Sequence, residues 1–419
     1  MKELTALLQS EIRPALGVTE VGAIALAAAR AAAEAKGKLQ SIRVKMNGGM
    51  YKNAFSCAIP GTEETGCLLS ALLGAVCGDW KKGLLCLEGV TQADVEKVQS
   101  MGIAVICSVA QEHDEIYILA EAEGTEGKGR ALITDTHSHI AQVLQDDTEI
   151  FHDTASAQTE STTTDFDKFQ ISDFVEYVQS VDLEEIAFLQ DMIDMNVALA
   201  EAGKQGVGLS LGKTLLHFQQ TGMLYDDTIL QAQLLTTAAM DARLTGLPLP
   251  AMSIVGSGSH GILCSLPVVS FGRSRQKSEG DILRAVALSG LVTIYSKHYT
   301  GRLSSLCGCV LGGGSGAAAG IVYLMGGDSA AVSTAIDAMA ANLTGMICDG
   351  GSVGCALKAY SGVQAAFLSA MLACTHTAFP HPLGVVGRNA EQTTYHLGRV
   401  SQEGMSQMDK TILSIMEQK

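Results

Sequence analysis

Hydrophobic positions change period once along this 419-residue chain. Up to about residue 151, apolar residues alternate with polar ones in short runs bounded by glycine, asparagine or proline; beyond residue 168 they recur at helical spacing. MKELTALLQSEIRP reads as an amphipathic helix, not a secretory leader, and ends near Pro14. A second helix begins after Thr19, a candidate N-cap with Glu20 in the first turn, and runs through the alanines to Lys36, where Gly37 stops it. Ile42, Val44 and Met46 predict a strand, followed by a turn at Asn47-Gly48-Gly49 and a second strand through Phe55 to Ile59. Pro60-Gly61-Thr62 opens a helix over 63–77, and Thr91 with Asp94 has capping-box spacing for another that ends at Gly102. Residues 103–108 predict a buried strand, and short strands follow at 116–120, 131–134 and 140–144.

The polar stretch DTASAQTESTTTDFD, residues 153–167, reads as a linker. Helical spacing then predicts helices at 169–179, 183–202, around Leu215, 228–242, 281–295 and 328–347, the last carrying Cys348 at its carboxyl end. Residues 409–417 form a terminal packing helix. The fold class expected is α+β: a domain of short antiparallel strands and helices over 1–152, whose helix 20–36 is free to pack on the helical part, and a large helical domain over 168–419. Two uncharged runs, 303–327 and 359–387, are long enough to span a bilayer, but Gly312-Gly313-Gly314 in one and His376, Pro380, His381 and Pro382 in the other mark them as buried core helices.

Composition sharpens this picture. Abundant Ala and Gly and a single Trp favour closely packed helices of small residues, whose faces also suit a homodimer. The net charge of −16 is regional: 19 acidic but 3 basic residues lie between Glu112 and Glu185, leaving the remainder balanced at 25 and 25. Such a surface repels phosphate backbones and anionic membranes, which excludes nucleic acid and membrane as expected partners; a solvated face accounts for it. Eleven unevenly spaced cysteines without a leader point to a reducing, cytoplasmic setting and not a disulfide framework.

The candidate chemistry centres on Cys307, Cys348 and Cys355, which stand beside glycines at the ends of uncharged segments. Forty residues separate the first two and six the last two, which is neither a ferredoxin nor a zinc-finger spacing. Three thiolates suit an iron-sulfur cluster that keeps one iron open as a Lewis acid; small buried hydrophobes in a helical core are the other reading. Gly17-Val18-Thr19 sits at a helix amino terminus, and Gly256-Ser257-Gly258-Ser259-His260-Gly261 offers a nest of backbone N–H groups; either suits an amino-acid carboxylate. His260 is a candidate proton-transfer group. His137 and His139 share one face if they lie on a strand, but lack a third metal ligand. Gly212-Lys213-Thr214 is not a P-loop, because Val207 stands where the first glycine is required.

ICDGGSVGCALK, RLSSLC followed by GAAAGI, DARLTGLPLPAMSIVGSGSHGI and RPALGVTE resemble, in the same order over nearly the whole chain, blocks of the iron-sulfur L-cysteine desulfidase family, a relative of the alpha chain of iron-dependent L-serine dehydratases. The resemblance implies a 4Fe-4S cluster on Cys307, Cys348 and Cys355, with Cys309 outside the ligand set. It also implies a lyase that takes a small L-amino acid and releases a β leaving group, with Thr19, Glu20, Asn53, Ser257, Gly258 and Ser259 at the substrate. Lys52-Asn53 matches the family's K-N pair, and His137 falls in its H-T-N-I block. One departure concerns the chemistry directly: Val18 stands where the family has a cysteine proposed as an acid-base group. The proton then falls to His260, Lys52 or His137, in that order. L-serine dehydration, a non-catalytic iron-sulfur homologue and a cluster-free helical binding protein are the competing readings.

Overall fold

The computed structural model describes residues 2–113, 115–153, 166–375, 377 and 380–418. Most of the 153–167 linker lies outside the described residues. The first part of the chain forms α1 (Lys2–Glu11), β1 (Ile12–Leu16), α2 (Thr19–Ala32), β2 (Leu39–Asn47), α3 (Gly48–Ala54), α4 (Cys67–Cys77) and α5 (Gln92–Ser100). Five strands follow: β3 (Ala104–Ala110), β4 (Tyr117–Gly124), β5 (Lys128–Thr134), β6 (Ile140–Gln145) and β7 (Thr148–His152). The second part opens with α6 (Ile171–Ser180), α7 (Leu189–Gly203), α8 (Leu211–Gln220), α9 (Thr228–Leu244), β8 (Pro250–Ile254), α10 (Gly258–Ser274) and α11 (Glu279–Thr300). It closes with α12 (Gly314–Leu324), α13 (Ser329–Leu343), α14 (Cys355–Cys374), α15 (Ala390–Arg399) and α16 (Ser406–Met416). The α+β expectation holds. Among the described residues, no helix is long and apolar enough to cross a membrane.

Six strands form one sheet in the order β3-β2-β4-β5-β6-β7, antiparallel except where β2 runs parallel to β3. Its alternation is a one-faced pattern: Ile42, Val44, Met46, Ile118, Ala120, Ala131 and Ile133 are buried. The alanine face of α2 covers that side, packing on β4, β5 and α4. Small residues set the separation: a Cβ at Gly74 of α4 would stand 2.4 Å from the Ala25 carbonyl oxygen of α2.

In the second part, α11 is the central helix, buried continuously from Ala285 to Lys297 and flanked by α10 and α12. A Cβ at Gly316 would lie 2.3 Å from the Ser289 carbonyl oxygen, so α12 rests on α11 backbone to backbone. The amino terminus joins this region: Pro14 does not end a helix but lies within β1, which pairs antiparallel with β8, Ile12 opposite Ile254. Pro14 is tolerated because a two-stranded ribbon leaves it an edge position.

Other expectations change for physical reasons. Residues 48–54 form α3, not a turn and a strand to Ile59, because Met50 and Ala54 are four apart and both buried. Helix α2 stops at Ala32, short of Lys36, and its N-cap is Val18, not Thr19. Strand β3 is an edge strand, not buried, with Ile106 55% exposed. His137 and His139 lie in the β5–β6 connection and not on a strand. Cys348 follows α13 by several residues because that helix ends at Leu343. The β8 strand was not expected, since its partner is far away in sequence.

Helix α10 meets β8 so closely that a Cβ at Gly261 would lie 1.9 Å from the Met252 carbonyl oxygen. Alanine is the better helix former by about 1 kcal/mol, but here the overlap with backbone wins. Gly261→Ala is expected to lower stability by about 2–3 kcal/mol in urea unfolding at constant slope. Gly345→Ala, where a Cβ meets nothing within 4 Å, should stay within about 0.5 kcal/mol of the parent.

Candidate active site

Two cysteine-bearing segments are tied to each other by their backbones. The Cys307 N–H donates to the Met346 carbonyl at 2.9 Å and the Cys348 N–H to the Ser305 carbonyl at 2.7 Å, around a bridge between Leu306 and Ile347. Immediately beyond Cys307 the chain takes a π-helical turn over Cys309–Gly313 before α12 begins, a widened turn of the kind found at functional sites. Cys309 Sγ lies 3.2 Å from Cys307 Sγ. Cys355 opens α14, and its thiol faces the Gly350 carbonyl at 3.6 Å. The Gly351 N–H donates to the Asn53 carbonyl at 3.3 Å, which joins this loop to α3.

These thiols line one cavity of about 80 Å³. Val18, Glu20, Asn53, Arg243, Ser257, Ser259, His260 and Lys297 line it too. Val18, where the resemblance implies a cysteine, therefore lies on the wall of the cavity. Val255, between β8 and α10, takes a φ of +50°, a left-handed conformation rare for a β-branched residue. Its N–H donates to the Glu11 carbonyl at 3.1 Å, and the turn it completes delivers Ser257 and Ser259 to the cavity.

Glu20, in the first turn of α2, accepts from Asn53 Nδ2 at 2.7 Å and has His137 Nε2 at 3.8 Å from the same oxygen. Burial alone would raise its carboxyl; His137 and Asn53 more than offset that and bring it down to about 2. Lys52, 2% exposed, donates to the Cys348 carbonyl at 3.1 Å and to Asp409 at 2.7 Å. It is not among the side chains lining the cavity, and α16 supplies its counter-ion besides packing. Thr19 is buried with an unpartnered hydroxyl, and Gly258 lies behind the wall, against Arg243.

His260 lines the cavity, with Nε2 2.6 Å from where a Gly308 Cβ would be. Burial, then Lys297 and Arg243, push its imidazole well below the ordinary histidine value, so it is neutral. Lys297 donates to Ser304 at 3.0 Å, and burial draws its ammonium down to about 8. Arg243 is held by Ser259 at 2.8 Å. Neither Arg243 nor Lys297 was singled out as a site residue from sequence; the available signal was a cation within the buried end of a helix, two residues after Asp241 in α9 and after an uncharged run from Ala285 in α11.

Burial raises the Cys348 thiol and carries that of Cys355 to about 11, whereas the neighbouring Cys309 thiol lowers Cys307. Soft thiols beside Lys297, Lys358 and Arg243 suit an iron-sulfur cluster better than a hard cation, and binding would displace the thiol protons. Among the described residues, no three His, Cys, Asp or Glu side chains converge as ligands of a single metal ion would. The residues present fit the cluster.

Residues 81–414 match the family model described as the serine dehydratase alpha chain. Relatives named UPF0597 protein occur in Clostridium botulinum strain Hall, 37% identical over 98% of this chain and 97% of theirs, and in Clostridioides difficile strain 630, 36% identical over 98% of both. A third, from Caldanaerobacter subterraneus, is 36% identical over 99% of this chain and 98% of its own.

Because Lys297 titrates at about 8 when folded against 10.5 as its ordinary value, the unfolded chain holds the extra proton between those pH values. Stability therefore rises with pH across that window for this residue. The unfolding free energy of the parent relative to that of Lys297→Met is expected to rise by roughly 3 kcal/mol from pH 8 to 10.5. Urea titrations at stepped pH check this, and a flat difference contradicts the buried ammonium.

Proposed function

The chain belongs to the serine dehydratase alpha-chain family, and from that premise we propose that it is a lyase eliminating a β leaving group from a small L-amino acid. L-cysteine, yielding sulfide, pyruvate and ammonia, is the first substrate and L-serine the alternative. One observation carries this reading: Cys307, Cys348 and Cys355 share a small cavity with an ionised carboxylate, a buried guanidinium and a neutral imidazole.

Cys307, Cys348 and Cys355 would hold a 4Fe-4S cluster, with Lys297 and Lys358 offsetting its charge. When bound, the cluster supplies a Lewis-acidic iron that makes the β-sulfur or β-oxygen a better leaving group. The remaining work belongs to side chains. Glu20 holds the substrate ammonium, which is why the amino end of α2 does not serve as the carboxylate site: its own carboxylate already stands there. The opening turn of α10, with Ser257 and Ser259, faces the other end of the substrate.

His260 accepts the α-proton at Nε2, the nitrogen beside Gly308, and its neutrality keeps that lone pair free. Lys297, poised between its two protonation states near pH 8, returns a proton to the departing group. Loss of the α-proton and the leaving group gives an enamine, whose imine tautomer takes up water to form pyruvate and ammonia. Val18 cannot transfer a proton, and in this reading it closes one side of the cavity instead.

Anaerobic reconstitution with iron and sulfide, followed by a pyruvate assay with each amino acid, is the test. Pyruvate release is expected with L-cysteine or L-serine; an intact cluster with neither activity overturns the proposal and favours a non-catalytic homologue. Serine at 307, 348 or 355 should abolish iron retention, whereas Cys309→Ser should keep it. His260→Gln should lower kcat by about 10²- to 10⁴-fold with the cluster absorbance unchanged.

A further inference from the structure

Arg243 stands near the carboxyl end of α9 with its side chain 3% exposed. One terminal nitrogen donates to Ser259 Oγ at 2.8 Å, while the equally buried Nε has no partner. The guanidinium lies against the first residue of α10 so closely that a Cβ at Gly258 would stand 2.3 Å from Nε. Glycine at that position makes room for the arginine. The helix it abuts is 17 residues long, and Ser257 at its N-cap makes no side-chain capping bond. A guanidinium that gives one terminal nitrogen to Ser259 and turns its Nε toward Gly258 thus sits at the electropositive start of a long helix, on the wall of the cavity.

Glu20 lines the same cavity, but the two charges do not pair. Asn53 and His137 hold Glu20, and Ser259 holds Arg243. Among the described residues, Glu20 is the only carboxylate on the wall of this cavity; of the cations there, Arg302 pairs with Glu11 and Lys358 with Asp349, whereas Arg243 and Lys297 hold only a hydroxyl each. An anion and a guanidinium restrained by different neighbours on one buried wall are complementary to a molecule carrying both an ammonium and a carboxylate. We propose that Arg243 anchors the α-carboxylate of the substrate and, with Glu20, makes the site selective for free amino-acid zwitterions over their amides and over peptides. This inference rests on the amino-acid reading of the cavity and adds the group that recognises the acid end.

The test uses reconstituted full-length protein and two unreactive probes, L-alanine and L-alaninamide, which differ in whether the carboxylate is ionic. Calorimetric titration of the parent is expected to favour alanine by about 10- to 100-fold, the scale of charge-assisted hydrogen bonding. Arg243→Gln should remove that preference while leaving alaninamide binding and cluster absorbance unchanged. Arg243→Lys, which keeps the charge without the fork, should fall between. Ser259→Ala, which frees the guanidinium but keeps it, should weaken alanine binding several-fold and serves if the Gln variant does not fold. A parent that binds neither probe or does not distinguish them overturns the proposal, as does a preference retained by all three variants. If alanine binds in an Arg243-dependent way but no pyruvate forms from cysteine or serine, elimination fails and the anchor stands. If pyruvate forms and the variants keep the preference, the anchor fails and elimination stands.

Discussion

Burying charge is the constraint around which this molecule is arranged. Lys52 and Lys297 are 2% exposed and Arg243 3% exposed, all close to the same thiols. Taking such groups out of water costs several kcal/mol each unless partners replace the lost hydration. Lys52 has its partners, a carbonyl and Asp409. Among the described residues Lys297 and Arg243 each have one hydroxyl as hydrogen-bond partner; Glu20 offsets part of the Arg243 charge, and the balance falls on the cavity cysteines, of which burial keeps Cys348 and Cys355 largely protonated. The arrangement is electrostatically complete only when those thiols ionise, which ties the stability of the region to what the thiols bind.

Close backbone contact is what lets these groups be held in register. Gly258 admits Arg243, Gly308 admits both His260 and Lys297, and Gly351 faces Cys57 and Val18. Each removes a Cβ where a polar head needs to lie against the main chain. The ladder between the Cys307 and Cys348 segments performs the same service for the cysteine side, fixing two thiols through carbonyls and amides without relying on side-chain packing. Strand pairing of β1 with β8 brings the α2 terminus, with Val18 and Glu20, to the turn that carries Ser257.

Much of this was legible in the residues. Period-two and helical spacing separated the sheet region from the helical region, and Thr91 and Asp94 form the capping box their spacing predicts. The three cysteines, Glu20, Asn53, Ser257, Ser259 and His260 come together at one cavity, although the sequence grouped them by resemblance and not by pattern. What stayed hidden depended on distance along the chain. Strand β8 has its partner more than two hundred residues away, as the pairing of Ile12 with Ile254 shows, and a five-residue apolar run carries no sign of it. Arg243 and Lys297 each sit at the end of a buried helix, where a lone cation reads as a surface residue until tertiary structure encloses it. Residues 48–54 turned helical because burial of Met50 and Ala54 outweighed the turn chemistry of Asn47-Gly48-Gly49.

The walls of the cavity also have an order of manufacture. Val18 and Glu20 leave the ribosome before Arg243 and His260, and these before Cys307, Cys348 and Cys355. The carbonyl that orients Lys52 and the Asp409 carboxylate that neutralises it arrive later still than the sheet that Lys52 adjoins. The nascent amino-terminal unit must therefore wait, with a cation and a carboxylate still in water, until the bundle closes over them. The three thiols can come together only once Cys355 has been made, so assembly of the site is set by the loop ladder and not by the sheet.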